Sequence, residues 1–549
     1  MTSLFRFALV LVVAAVTVGS CTTSHRDTRC PPGALCLLYG NGAEPFTLDP
    51  ALIDGTWEAT IVGGMIVGLT ARDALGRPIP AMATSWETSP DGLTWTFHLR
   101  NAQWSDGVPV TADDFVFGVR RQLDPKTASY SAFLLYPILK NAQAVSKGKL
   151  PLSAVGIVAQ DAHTLVMHLE HPWPTLPYFT SARFFWPAPR HAVERWGDKW
   201  ATAGHYVANG PYNLVTWKLG DRVVVRKNPR FWDAAHVCYN EIDYFPTSDA
   251  ISNERLVRAH EMDLTTTVQS NRLHYLRRTM GDYLRVAPLL GVTYLTFNLH
   301  VPGLNDVRVR QALSMAIDRE FIVRKLLRGG QTPAYGFVPP DVIGYPDGAK
   351  VYWANWSFPQ RQAEARRLLA EAGYGPGHPL KLLIKHRNSP DPVLFMPAIQ
   401  SDWRQVGVEA QLEQNDVQVA YNAYEVHDFQ VGDAGWVGGE EPNDYLSLNR
   451  SDTGGQNYGD YVNPAFDAEL DRALDAPEPA IRAEHFKTAE AMILADMPNA
   501  PIYFVSSRNL VSPAILGWTD NPIDSHGVRW LCRAPPSGAA VAGAAAAAS

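Results

Sequence analysis

Four carboxylates crowd one stretch of this chain: Asp433, Glu440, Glu441 and Asp444. Two facing carboxylates can do acid/base work on a glycoside, and unpaired ones in a cleft favour a cation. Glu440 and Glu441 are adjacent, so on an extended chain they point to opposite sides and form no facing pair. No Gly-x-Ser-x-Gly elbow, His-Glu-x-x-His pair or phosphate loop occurs in the sequence. The 16 His are scattered and read as structural or exposed. Catalytic residues are therefore expected to be absent, and binding is the expected task. If two of the four acids face a cleft, a cationic ligand or ligand group is favoured; a solvated acidic loop is the other reading. Cys30, Cys36, Cys238 and Cys532 lack metal-ligand spacing with nearby His, so neither a metal nor a cofactor is expected.

A chain of 549 residues exceeds the size at which a single core keeps growing, so two or three lobes must position such a site. The net charge is −7 and no Lys/Arg run is long, which argues against nucleic acid as a partner.

The beginning of the chain reads as an export signal. Arg6 is its only charge, Phe7 to Val18 is apolar, and Gly19-Ser20-Cys21 follows. Val18-Gly19-Ser20-Cys21 resembles a bacterial lipobox, in which residues 1–20 are cleaved and the Cys21 thiol is lipidated. Residues 21–36 would form a tether from the membrane, and the Ala/Gly-rich stretch 533–549 a disordered tail. The protein is expected in the periplasm or cell envelope. In that compartment the four remaining thiols can form disulfides. Three pairings are open, with Cys30–Cys36 and Cys238–Cys532 preferred.

Between these ends, strand and helix patterns interleave. Leu93 to Leu99 alternates as a half-buried strand does. Thr111 precedes Ala112 to Arg121 as an N-cap, with Asp113 and Asp114 in the first turn. Val307 to Leu327 and Ala363 to Ala372 have helical spacing, the latter closed by Gly373. Arg222 to Arg226, Thr293 to Asn298 and Ile502 to Val505 read as strands. The mixture indicates an α/β or mixed α+β protein.

Several segments carry a resemblance. Ser85-Trp86, Asp91 to Arg100 and Trp104 to Phe117 (WSDGVPVTADDFVF) come first. Leu48-Asp49-Pro50, Asn209 to Tyr212 and Asn228 to Trp232 fit the same pattern. So do Asn305 to Leu313, Asp318-Arg319, Leu368 to Tyr374 and Asn463 to Asp467. Together, over roughly residues 37–532, they resemble the oligopeptide- and dipeptide-binding proteins of bacterial ABC importers, solute-binding protein family 5.

The resemblance implies a two-lobed periplasmic-binding-protein-like fold of the cluster C type, monomeric, with a ligand cleft between the lobes. Lobe I would comprise 37–66, 204–290 and 504–532, with 67–203 as an added subdomain, and lobe II 291–503. Hinges would fall near Gly291 and Phe504. The implied function is capture of a peptide or peptide-like, amine-bearing solute for the importer's permease subunits. An accessory lipoprotein acting as sensor, adhesin or chaperone is the alternative. Ligand contacts would come from Asp54, Gly55, Thr56 and Trp57, from Tyr130, and from Ala434, Gly435, Trp436 and Val437.

The charged positions depart from the family pattern. Gly439 falls where the family has an Asp for the ligand's amino group, and Glu440 beside it can replace that Asp. Asp433, Leu327 and Tyr424 fall where the family has bases for the ligand's carboxylate. Burying a ligand carboxylate beside Asp433 would be costly.

Overall fold

The computed structural model describes residues 30–31, 34–53, 55–266, 268–346 and 348–534. The Cys21, signal-peptide and Asp54 assignments lie outside these residues, as does nearly all of the expected tail. The described residues build two large cores, beside a smaller cluster of Phe245, Val257, Met262, Leu276, Met280 and Leu510. One gathers side chains from Leu37 to Tyr244, with Leu264 and Val511 to Leu531; the other runs from Leu290 to Tyr503. They define a first and a second lobe.

One eleven-stranded sheet passes through both lobes. Its strands are β1 (Cys36–Gly40), β2 (Tyr212–Lys218), β3 (Arg222–Lys227), β4 (Glu241–Phe245), β5 (Leu264–Thr265) and β6 (Leu284–Phe297). β7 (Thr332–Pro333), β8 (Leu380–Arg387), β9 (Val408–Asn415), β10 (Val431–Val437) and β11 (Asn499–Val511) complete it. The order is β9-β8-β10-β6-β11-β5-β1-β4-β3-β2, with β7 beside β11. Within the first lobe β1 runs parallel to β4 and β5. Within the second, β8 runs parallel to β9 and β10.

Among the described residues β6 and β11 are the longest strands, with 14 and 13 residues, and they run between the two lobes. Their antiparallel register slips between Pro288 and Val292 and again at Thr293/Tyr294, where Val292 opposes Phe504. Gly291 sits in this irregularity against Val437. A Cβ there would lie 3.0 Å from the Trp436 carbonyl oxygen, so only glycine allows that approach. A bulge bends and twists a sheet locally, and this one lies where β6 and β11 run between the two cores.

A separate four-stranded sheet orders Ala83–Thr88, Thr94–Leu99, Thr164–His168 and Ile157–Asp161. Against it packs helix α2 (Ala112–Leu123). Its start follows from local chemistry: the Asp114 carboxylate accepts the Thr111 N–H at 2.8 Å and the Trp104 indole N–H at 3.3 Å, closing a reciprocal cap.

The continuous helical pattern of residues 307–327 is broken in the structure. A helix covers Val307–Met315, and after a break Arg319–Phe321 leads into a wide π turn over Ile322–Leu327. The break places Arg319, which is fully buried, where its guanidinium donates to the carbonyls of Ser314, Ala334 and Pro501. Satisfying those buried oxygens outweighs helix continuity.

Both preferred disulfides form, Cys30–Cys36 and Cys238–Cys532, with Cα separations of 5.8 and 5.3 Å. Arg533, placed by sequence in the tail, instead pairs with Ile515 in a short strand and forms an ion pair with Asp263. Order therefore extends past the expected tail boundary, because the second disulfide holds this segment to the first lobe.

Candidate binding cleft

The carboxyl ends of β1 and β5 and those of β8 and β10 meet at the junction of the lobes. Ser270, shortly after β5, donates to Asp391, shortly after β8, at 2.8 Å. Arg508 on β11 approaches the same Asp391 carboxylate at 3.7 Å. In open α/β sheets, ligands lodge outside the carboxyl ends of the strands.

In the first lobe Thr56 and Trp57 open α1 (Thr56–Gly63), where the Asn41 side chain, next after β1, donates to the Trp57 carbonyl at 2.8 Å. The buried Glu58 sets their position. Its carboxylate accepts the Gly55 N–H at 3.0 Å and the Phe46 N–H at 2.7 Å, tying two loops to the helix start. Gly55 lets the Trp57 ring fold back, since a Cβ at Gly55 would lie 2.4 Å from the indole. Thr56 is exposed and Trp57 half-buried. Tyr130 is 67% exposed on the first lobe.

The second lobe contributes the end of β10. It pairs with β8 only through Val431 and Gly432, whereas its ladder with β6 continues to Val437. Beyond Gly432, among the described residues, the edge facing away from β6 has no strand partner. The Tyr421 hydroxyl meets the Gly435 backbone on that side, and Trp436 and Val437 follow, Val437 54% exposed. The indole Nε1 atoms of Trp57 and Trp436 are both buried with no hydrogen-bond partner among the described residues. Each is a donor in want of an acceptor.

The acidic run is neither solvated nor free. Asp433 is 0% exposed. It accepts the Arg387 backbone N–H at 2.6 Å and the Arg387 Nε–H at 2.8 Å, while Arg387 Nη2 also lies 2.8 Å away. Arg387 Nη1 donates to the Tyr421 hydroxyl at 2.8 Å. Burial by itself would lower the Arg387 pKa, but the Asp433 charge outweighs it and holds the guanidinium above its ordinary value. The other two positions matched to ligand-carboxylate bases are enclosed: Leu327 is buried, and Tyr424 is buried with its hydroxyl on the Lys385 carbonyl at 2.8 Å.

Glu440 pairs across the lobes with Arg72 at 2.7 Å. Arg72 is itself braced by the carbonyls of Gly76 and Tyr178 and by Ser181. Burial raises the Glu440 pKa and Arg72 partly offsets it. Among the described residues its Oε2 is buried without a hydrogen-bond partner. Glu441 pairs with Arg482 at 2.8 Å and also meets Thr175 of the first lobe. Asp444 accepts the N–H groups of Glu440 and Glu441 at 2.9 and 3.0 Å. Burial, with the neighbouring glutamates, pushes its pKa up to about 7.

Sequence reading missed Arg387, Arg72, Asp391 and Arg508. Arg387 closes an alternating strand, but no local pattern connects it with Asp433. Among the described residues no group of His, Cys, Asp and Glu could hold a metal ion.

A continuous sheet carried through two lobes by two long strands, with the lobes meeting at strand ends, defines a two-lobed ligand-capturing protein. The model for "Bacterial extracellular solute-binding proteins, family 5 Middle" matches residues 77–458, and the chain belongs to this family. It is 35% identical over 504 residues to the periplasmic oligopeptide-binding protein OppA of Salmonella typhimurium, covering 90% of this chain and 92% of that one. The structure of the murein tripeptide binding protein MppA of Escherichia coli superposes with a TM-score of 0.78 at 32% identity, over 91% of this chain and 99% of that one. Haemophilus influenzae OppA in complex with the peptide RPPGFSPFR superposes with a TM-score of 0.77 at 29% identity, again over 91% and 99%.

Proposed function

We propose that this protein is the substrate-binding component of an ABC importer. It captures a peptide or peptide-like solute between its lobes and delivers it to the permease subunits, without catalysing a reaction. The observation that carries this reading is the free edge of β10 at Trp436-Val437, on the lobe junction. An extended ligand can add to such an edge as a further strand, drawing affinity from main-chain hydrogen bonds and little from side-chain identity. The partnerless indoles of Trp57 and Trp436 suit the carbonyl oxygens of such a ligand, and Glu440 Oε2 suits its amino group. Lipidation of Cys21 would hold the protein at the membrane beside the permease.

Native mass spectrometry of the mature protein as purified, followed by denaturing extraction, tests the reading. A peptide or peptide-like amine released in one-to-one amount is expected. An empty protein that shows no thermal shift with peptide libraries would overturn it.

A further inference from the structure

The charges around the cleft can be followed from residue to residue. On one flank Arg72 pairs with Glu440, and Arg482 with Glu441. On the other, Arg508 lies against Asp391. Arg387 is likewise matched by Asp433. Each of these four guanidinium groups thus has a carboxylate of its own protein.

The Arg387 pair sits where the family pattern would place a base for the ligand's carboxylate. A guanidinium binds a carboxylate best through two parallel N–H groups on one edge. In Arg387 the Nε/Nη2 edge is taken by Asp433, and Nη1 also serves Tyr421. The side chain of Arg387 is 16% exposed and that of Asp433 not at all. A ligand thus meets the guanidinium with the carboxylate held behind it. The N–H groups left on Nη1 and Nη2 belong to a guanidinium whose charge Asp433 already balances, so they suit the oxygen of a neutral carbonyl. A ligand carboxylate placed there would share one guanidinium with Asp433, leaving a buried net negative charge.

Resting on the peptide-capture reading above, we infer that this cleft receives the carboxyl end of its ligand as an uncharged group, an amide or another neutral carbonyl, and that Asp433 enforces this through Arg387. Asp433 is a positioning residue: it acts on the ligand by occupying Arg387. Converting it to the isosteric amide should therefore release a charged guanidinium and reverse the preference.

The test is calorimetric titration of tri-, tetra- and penta-alanine, each as free acid and as C-terminal amide. The wild-type protein is expected to bind the amide at least as tightly as the acid. Asp433→Asn is expected to shift the ratio of affinities at least tenfold toward the acid. The neutral double variant Arg387→Gln/Asp433→Asn should keep the wild-type ratio, which a merely structural role for Asp433 would not predict. A wild-type protein that prefers the free acid tenfold or more overturns the inference alone, and that ratio decides even if a variant fails to fold. A folded Asp433→Asn protein with an unchanged ratio also overturns it. If neither form binds at any length, the peptide-capture reading falls, and this inference with it.

Discussion

Arg387, the last residue of β8, meets Asp433 inside the neighbouring β10 and contributes both its backbone N–H and its guanidinium to one fully buried carboxylate. The pair is joined to an aromatic group: the guanidinium lies 5.3 Å from the Tyr421 ring centroid, and Tyr421 packs edge-on against Tyr424. An acid at a position matched to a base in the family is thus not left to confront the ligand.

Removing the arginine alone should be more damaging than removing both charges. Arg387→Gln leaves Asp433 buried and without its ion partner, and breaking one side of a buried pair costs about 3–5 kcal/mol. Arg387→Gln/Asp433→Asn should recover most of that loss, because no charge then remains to be desolvated. Urea unfolding of the two single variants and the double completes the cycle. Equal losses from Arg387→Gln and from the double variant would show that packing, not charge, holds the site.

Glu440 and Arg72 join the lobes across a chain separation of 368 residues. Glu440→Gln keeps the shape and removes the charge, while Arg72 retains its bonds to Gly76, Tyr178 and Ser181. With this contact weakened, the unliganded protein should spend more time open, and ligand that binds only the closed form should lose affinity, by about tenfold for a loss of about 1.4 kcal/mol. Small-angle scattering of ligand-free protein reads the first effect as a larger radius of gyration. Superimposable scattering curves for the two proteins would remove this pair from the account of closure.

These relationships also mark where sequence reading stops. Thr111 and Asp114 were legible as a helix start because both partners lie in one turn. The alternating strand at residues 94–99 was legible from its pattern. The acidic run was visible as composition, but its partners were not. Arg387 is 46 residues from Asp433, and Arg72 lies in the other lobe from Glu440. Only the folded sheet and the junction of the lobes bring them together. Arg319 failed in the opposite sense: its surroundings read as continuous helix, and the distant carbonyls of Ala334 and Pro501 that break it left no local trace.

Asp444 gives the junction a pH dependence whose sign follows from its surroundings. Burial and the adjacent Glu440 and Glu441 raise its folded-state pKa to about 7 from the ordinary carboxyl value of 3.8. Glu440 is shifted in the same direction by burial. A carboxyl with a raised pKa binds more protons folded than unfolded, so its contribution is fully present below pH about 4 and is lost as pH rises toward about 7. Asp444→Asn retains an oxygen to accept the N–H groups of Glu440 and Glu441 but cannot ionise. It should flatten the fall in stability between about pH 4 and 7 and make the variant more stable than wild type at pH 8. Denaturant unfolding at several pH values checks both effects. A variant whose stability runs parallel to wild type across that range would show that Asp444 does not titrate there.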